Sequence, residues 1–390
     1  MNYQRLFRNL DYTLILTVVL ILAFSLVIIS SATHVTSAAG DQSDPYGYVE
    51  KQLIWIVMGA FMAILLMLVH YENFMDHARF LYGLNLVILA SVLVLGHTAM
   101  GAQRWIAIGP FIFQPSEFAK IIIIITFAAF LTDREGKLSR FRDLFPCFIY
   151  IGVPMLLILK QPDLGTSLVF IAIMFGMLFA AGARPAHLLS IIGGGISFVS
   201  VWLYAHFYLG TWLWNNLHFK VPMPLEEYQL TRLTIFLDPW KDWQGAGYHM
   251  IQSQIAIGSG GFWGKGLYNG SQSQLNFLPI QHTDFIFSVV GEELGFIGAV
   301  ILLAMFFVVV YRGVMIAGEA KDTYGNLLAV GIVSKLTFHI LVNVVMTAGI
   351  MPVTGVPLPL FSYGGSSMLT NLCSLGILLN VYMRRQKLMF

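Results

Sequence analysis

The residues best placed to do chemistry lie in Gln281-His-Thr-Asp-Phe-Ile-Phe-Ser-Val-Val-Gly-Glu-Glu-Leu-Gly295, where a long polar stretch runs into an apolar one. Asp284 falls at the junction, a water–lipid boundary where a carboxylate can be ionised yet poorly solvated. Ser288 and Glu292 follow at i+4 and i+8, so a helix would carry all three on one face. A carboxylate deep in a membrane segment costs roughly 2.5–3.5 kcal/mol on insertion scales and marks a functional site by default. The competing reading is an acidic residue that merely favours the positive end of a helix dipole.

Cations stand in the same outer segments. Arg104, Lys120 and Lys160 lie in or beside short loops; Arg232, Lys241 and Lys265 lie in a long one. Most such charges are ordinary solvated surface. Arg104 has no acidic neighbour in Gly101-Ala-Gln-Arg-Trp105. Lys120 begins a helix, where a cation opposes the dipole, and Glu117 can pair with it at i,i+3 as a structural ion pair. In Lys160-Gln-Pro-Asp-Leu-Gly-Thr166, Pro162 forces a turn and Asp163 can cap the next helix. Lys335, His339 and Asn343 repeat at i, i+4 and i+8. Glu292 should sit roughly 12 Å below the outer start of its helix, and Lys335 roughly 15 Å above the inner start of its own. In a ~30 Å bilayer those depths match. Glu292 or Glu293 is therefore expected to face Lys335 or His339; otherwise Lys335 snorkels alone. The apolar but Pro- and Gly-rich run Gly349–Ser367 cannot be regular helix, and should line the same cavity. Gly258-Ser-Gly-Gly-Phe-Trp-Gly-Lys-Gly266 fails the phosphate-loop pattern at Ser259 and Gly266.

The elements that must position these groups are membrane helices. Of 390 residues, 57% are hydrophobic and 11% charged, against about 25% charged in soluble domains. This indicates an all-α polytopic membrane protein, a single domain over 1–390. A net charge of +2 gives no reason to expect nucleic acid. Cys147 and Cys373 lie in apolar runs, as free buried thiols. Ten apolar segments, approximately 12–33, 53–70, 79–96, 117–132, 146–160, 164–182, 187–209, 284–311, 325–349 and 367–383, predict about ten transmembrane helices. The first reads as retained, not as a cleaved signal. An even count puts both termini on one side. Thirteen of the 22 Lys and Arg then lie on that side, four of them in Asp133–Asp143, so the N- and C-termini are cytoplasmic. All eight Trp fall outside or at outer helix ends. The extracellular loop at about 210–283, between helices 7 and 8, is too long for an idle connection. Within it Gly245–Ile257 reads as a short amphipathic helix. No internal repeat is found, which weakens an inverted-repeat transporter.

Several motifs, in order, resemble the SEDS family (shape, elongation, division and sporulation): Gln103–Lys120, Gln161-Pro-Asp-Leu-Gly-Thr166, Phe236-Leu-Asp-Pro239, Gly245-Ala-Gly-Tyr248, Gln252–Gly261, His282-Thr-Asp-Phe-Ile-Phe287 and Val356–Ser366. Gly270–Leu275 and Gln114–Glu117 are closer to the elongation branch, RodA, than to the division branch, FtsW. The family usually has Leu-Pro-Glu shortly before His-Thr-Asp; Leu278-Pro-Ile-Gln281 lacks that acid. The resemblance implies a peptidoglycan glycosyltransferase of the bacterial cytoplasmic membrane that polymerises lipid II during elongation, beside a class B penicillin-binding protein and the elongation machinery. It implies that Asp284 is the essential acid. Arg104, Glu117, Lys120 and Gln161–Asp163 match further family positions. His282 and Ser362, from matched motifs, join Arg104, Lys120, Gln161, Asp163 and Lys265 as substrate-binding candidates; Glu292, Lys335 and His339 remain intramembrane polar candidates.

The implied chemistry fits these residue types. An inverting glycosidase uses one carboxyl as acid and one as base. A pyrophosphate leaves without a proton and needs its charge compensated. One carboxylate base, Asp284, with Arg104, Lys120 and Lys265 as a cationic shelf would suffice. A divalent cation, Mg or Mn, is compatible, but no ligand cluster is legible. The rival functions are a lipid II flippase and a scaffold that only recruits an enzyme.

Overall fold

The computed structural model describes residues 9–34, 47–99, 102–108, 111–161, 163–206, 216, 227–242, 246–275, 277–278 and 281–385. Ten long apolar helices carry the fold: α1 (Tyr12–Thr33), α2 (Gly47–Leu68), α4 (Ala78–Leu95), α5 (Pro115–Thr132), α6 (Phe145–Leu159), α7 (Leu164–Ala180), α8 (Pro185–Tyr204), α12 (Ile286–Gly318), α13 (Thr323–Thr347) and α14 (Gly365–Met383). Short α3 (Glu72–Asp76) lies on the inner side. The long loop adds α9 (Glu227–Leu237), α10 (Ala246–Gly260) and α11 (Ser271–Gln274). The aromatics Trp212, Trp214 and Trp243 of that loop, Pro162 of the tight turn and the Pro279-Ile280 pair lie outside the described residues.

Lipid explains the amphipathic logic. Outward-facing side chains of the spans are apolar, with Phe80, Val94 and Phe307 well exposed, because hydrocarbon replaces water as the solvent. α14 is the axis: it is almost wholly buried, packs along α2, and touches α5, α12 and α13. α8 stands at the edge against α7. Acidic side chains cap two of the helix starts. Asp11 accepts from Leu14 N at 3.0 Å to cap α1, and its other oxygen meets Arg312 Nη2 of α12 at 2.6 Å. Asp322 caps α13 through Gly325 N.

Two features depart from a plain ten-helix reading. The loop between α4 and α5 folds into an antiparallel sheet of β1 (His97–Ala99), β2 (Ala102–Ile108) and β3 (Phe111–Phe113), in that order. And α12 is broken: Gly295 has φ +64° and ψ −159°, a region essentially reserved for glycine. The backbone groups freed there are claimed by the glycine-rich loop after α10. Lys265 N and Gly266 N donate to the carbonyls of Glu292 and Glu293 at 3.0 and 2.9 Å, while Phe296 N donates to Gly261 O at 3.0 Å. The glycines exist for this close approach. A Cβ on Gly264 would lie 2.2 Å from Glu293 O.

Candidate active site

Asp284 lies in the turn before α12, at the wall of a pocket of about 300 Å³ lined also by Arg232, Ile235, Phe236, His249, Met250, Phe285 and Val353. α9 supplies Arg232, Ile235 and Phe236, α10 supplies His249 and Met250, and the irregular run before α14 supplies Val353. Residues 350–364 include no helix, as their Pro and Gly content requires. Gly355, at φ +73°, brings the backbone so close that an added Cβ would lie 3.4 Å from Asp284 Oδ2 and 3.9 Å from Arg232 Nη1. Burial pushes the Asp284 carboxyl up to about 6; the charges of Arg232 and then Arg104 oppose that push, and Asp163 adds to it. His249 is held below its ordinary value, first by burial and then by Arg232.

Arg104 reaches this site from β2. Its Nε donates to Gln161 O at 3.1 Å and its Nη1 lies 3.9 Å from Asp163 Oδ1. Asp163 is a cap first: it accepts from Thr166 N at 3.0 Å and Thr166 Oγ1 at 2.9 Å, and also from Gln114 Nε2 at 3.2 Å. Gln161 is buried, its amide spent on Leu89 O at 2.9 Å. Ser362 is buried as well, donating to Thr283 O at 2.7 Å. His282 packs in an aromatic trio with Tyr48 and Tyr363, ring centroids 4.8 and 5.7 Å away.

Three sequence expectations need correction. Asp284, Ser288 and Glu292 do not share a face, because α12 begins only at Ile286. Ser288 Oγ instead meets Ser253 Oγ of α10 at 2.6 Å. Glu292 does not face Lys335 or His339. It binds Lys265 Nζ at 2.7 Å and Gln272 N at 2.8 Å, while Glu293 takes the Ser31 hydroxyl at 2.6 Å. The break at Gly295 is the reason: depth counted along a straight rod fails when the upper piece turns into the loop. Lys335 bonds Ser374 Oγ at 2.9 Å, and His339 lies between Lys120 Nζ and Pro357 O, each at 3.3 Å. Thirdly, Lys120 and Lys265 are not free for a shelf. Lys120 is 1% exposed and pairs with Glu117 at 2.5 Å; Lys265 is committed to Glu292.

Arg232 is the functional candidate that sequence reasoning passed over as one loop cation among several. The available signal was its spacing: it precedes Phe236 of Phe236-Leu-Asp-Pro239 by four, so both line the pocket from one helical face. Among the described residues no group of three or more His, Cys, Asp or Glu could hold a metal ion. With the guanidinium groups of Arg232 and Arg104 beside Asp284, and Asp163 committed to capping α7 and to Arg104, the donor set does not fit a metal held by the protein itself.

The family model described as cell cycle protein, of FtsW, RodA and SpoVE, matches residues 12–387. The peptidoglycan glycosyltransferase MrdB of Escherichia coli (strain K12) is 37% identical over 380 residues, 97% of this chain and 95% of that protein. A probable peptidoglycan glycosyltransferase FtsW of Geobacter sp. (strain M18) is 37% identical over 384 residues, 98% and 99% of the two chains. A solved chain described under structural coordination of polymerization and crosslinking by a peptidoglycan synthase complex superposes with TM-score 0.76 at 31% identity, covering 97% of this chain and 99% of that one. The crystal structure of the rod shape determining protein RodA of Thermus thermophilus gives TM-score 0.67 at 29% identity, covering 97% and 98%. On sequence over nearly its full length, and on a fold shared to the same extent, this chain belongs to the FtsW/RodA/SpoVE family of cell cycle proteins.

Proposed function

We propose that this multi-pass protein of the bacterial cytoplasmic membrane is a peptidoglycan glycosyltransferase that joins lipid II units into glycan strands at the outer face, with Asp284 as the base. The observation that carries the reading is one partly exposed carboxylate, raised to about 6 and set beside Arg232 and within reach of the Arg104 charge. Asp284 takes the proton of the acceptor sugar hydroxyl. The hydroxyl oxygen bonds the anomeric carbon as the bond to the lipid pyrophosphate breaks, and the electron pair leaves on the pyrophosphate. Arg232 and Arg104 compensate that charge as it develops. A divalent cation, Mg or Mn, would be held by the pyrophosphate and would add to the charge compensation there. RodA-like motifs support elongation as the setting, while FtsW relatives stand at similar identity. The likeness to a peptidoglycan synthase complex supports a crosslinking partner, which we assign to the class B penicillin-binding proteins.

The test is polymer formation from purified lipid II, with a divalent ion and the cognate class B protein, in wild type and Asp284→Asn. Polymer from wild type and none from the folded variant is expected. Equal polymer from both removes Asp284 as the base. Lipid II crossing liposomes without polymer would instead mark a flippase.

A further inference from the structure

The turn that carries Asp284 is latched through three successive carbonyls. Tyr363 N donates to His282 O at 2.9 Å, Ser362 Oγ to Thr283 O at 2.7 Å, and Asn343 Nδ2 of α13 to Asp284 O at 2.9 Å. The same Asn343 amide donates to Val356 O at 2.8 Å. Asn343 is fully buried. It thus ties two walls of the pocket to one rigid span. One wall is the Asp284 turn. The other is the 353–356 backbone, where Val353 O receives Arg232 Nη1 at 3.1 Å and Gly355 abuts both the Asp284 carboxylate and the Arg232 guanidinium.

The residue type is informative. Both acceptors are carbonyls, so the amide nitrogen must face them. Its oxygen, Oδ1, is then left buried with no hydrogen-bond partner among the described residues. An orphaned buried acceptor is unfavourable, and an apolar side chain of similar size would remove it. Packing alone does not account for an asparagine here; the two donated bonds do.

We infer that Asn343 is a positioning residue, acting through the main chain of Asp284 to fix its carboxylate against Arg232 and the 353–356 wall. The inference rests on Asp284 being the base. The charged and titratable groups that face Asp284 are Arg232 from α9, Arg104 from β2, Asp163 at the start of α7 and His249 across the pocket from α10, with His282 beside it in sequence. Burial is the largest influence on the carboxyl. Releasing the turn admits water and relaxes that influence, so the acid limb of the rate profile should move to lower pH.

The full-length protein with its class B partner is assayed on lipid II across pH, as wild type, Asn343→Leu, Asn343→Ala, Asn343→Ser and Asp284→Asn, with thermal unfolding in detergent as the check on folding. The donor-less Leu and Ala variants should lose about 10²-fold in kcat, the scale of a misplaced reacting group. KM should stay within about twofold, and the acid limb should fall. Asn343→Ser keeps one donor and should recover part of kcat. Wild-type kcat and an unmoved acid limb in either folded donor-less variant, with Asp284→Asn silent, would overturn the inference and leave the base reading standing. Equal losses in Leu, Ala and Ser that track melting, with no shift of the limb, would also overturn it and mark a structural role only. Wild-type polymer from Asp284→Asn would overturn the base reading, and this inference with it.

Discussion

At the scale of residues, the site sets a carboxyl that burial pushes up to about 6 beside the charges of Arg232 and Arg104. A base must be ionised to accept a proton, so kcat/KM should rise with pH through about 6 and level off above it. Arg232 pulls the Asp284 carboxyl down. Replacing it as Arg232→Gln should move that rise to higher pH, and should lower the plateau by about 10²-fold as a charge-compensating donor is lost. A pH–rate series on both proteins checks the two effects separately. The pair of Glu117 and Lys120 answers to stability instead. Removing one partner of a buried pair costs about 3–5 kcal/mol, whereas replacing both with apolar residues can be neutral. Glu117→Leu or Lys120→Met alone should therefore melt well below Glu117→Leu/Lys120→Met together. Asp284, Arg104 and this pair are legible in sequence because boundary placement and i,i+3 spacing are local properties. The partners of Glu292, Lys265 and Arg232 are not, since each depends on where a distant backbone passes.

The elements repeat that division. The ten spans are legible because about 20 apolar residues in a row have few alternatives. The small sheet is not, because its strands are short, Gln103–Ile108 shows no apolar–polar alternation, and the glycines between the strands read as loop. The break in α12 is not legible for a related reason: Gly295 lies inside a long apolar segment that reads as one helix. Its conformation is accessible to glycine at little cost and to other residues at about 1–3 kcal/mol. A Cβ there would also lie 2.4 Å from Gly264 N. Gly295→Ala should thus lower the melting temperature and loosen the loop that Lys265 and Glu292 hold. Hydrogen exchange of residues 261–274, faster in the variant, would register that loosening.

For the whole molecule, the cations crowd one face and the candidate chemistry the other. Single cysteines introduced at exposed Ser139 and Trp263 should separate the faces. A membrane-impermeant thiol reagent should label Trp263→Cys in cells whose outer envelope alone is opened, and Ser139→Cys only after the inner membrane is broken. The native Cys147 and Cys373 are buried and should stay dark. Between these faces runs a column of polar side chains, from Asn343 through His339, Lys120 and Glu117 to Lys335 and Ser374. On α13 the polar positions pause below Ser334. Leu327 to Val333 of α13 are all apolar, about 10 Å of helix. At its inner end Asn326, Tyr324 and Asp322 hydrogen-bond again. On α13, then, about two turns of apolar side chain separate the polar groups of the chemical side from those of the other.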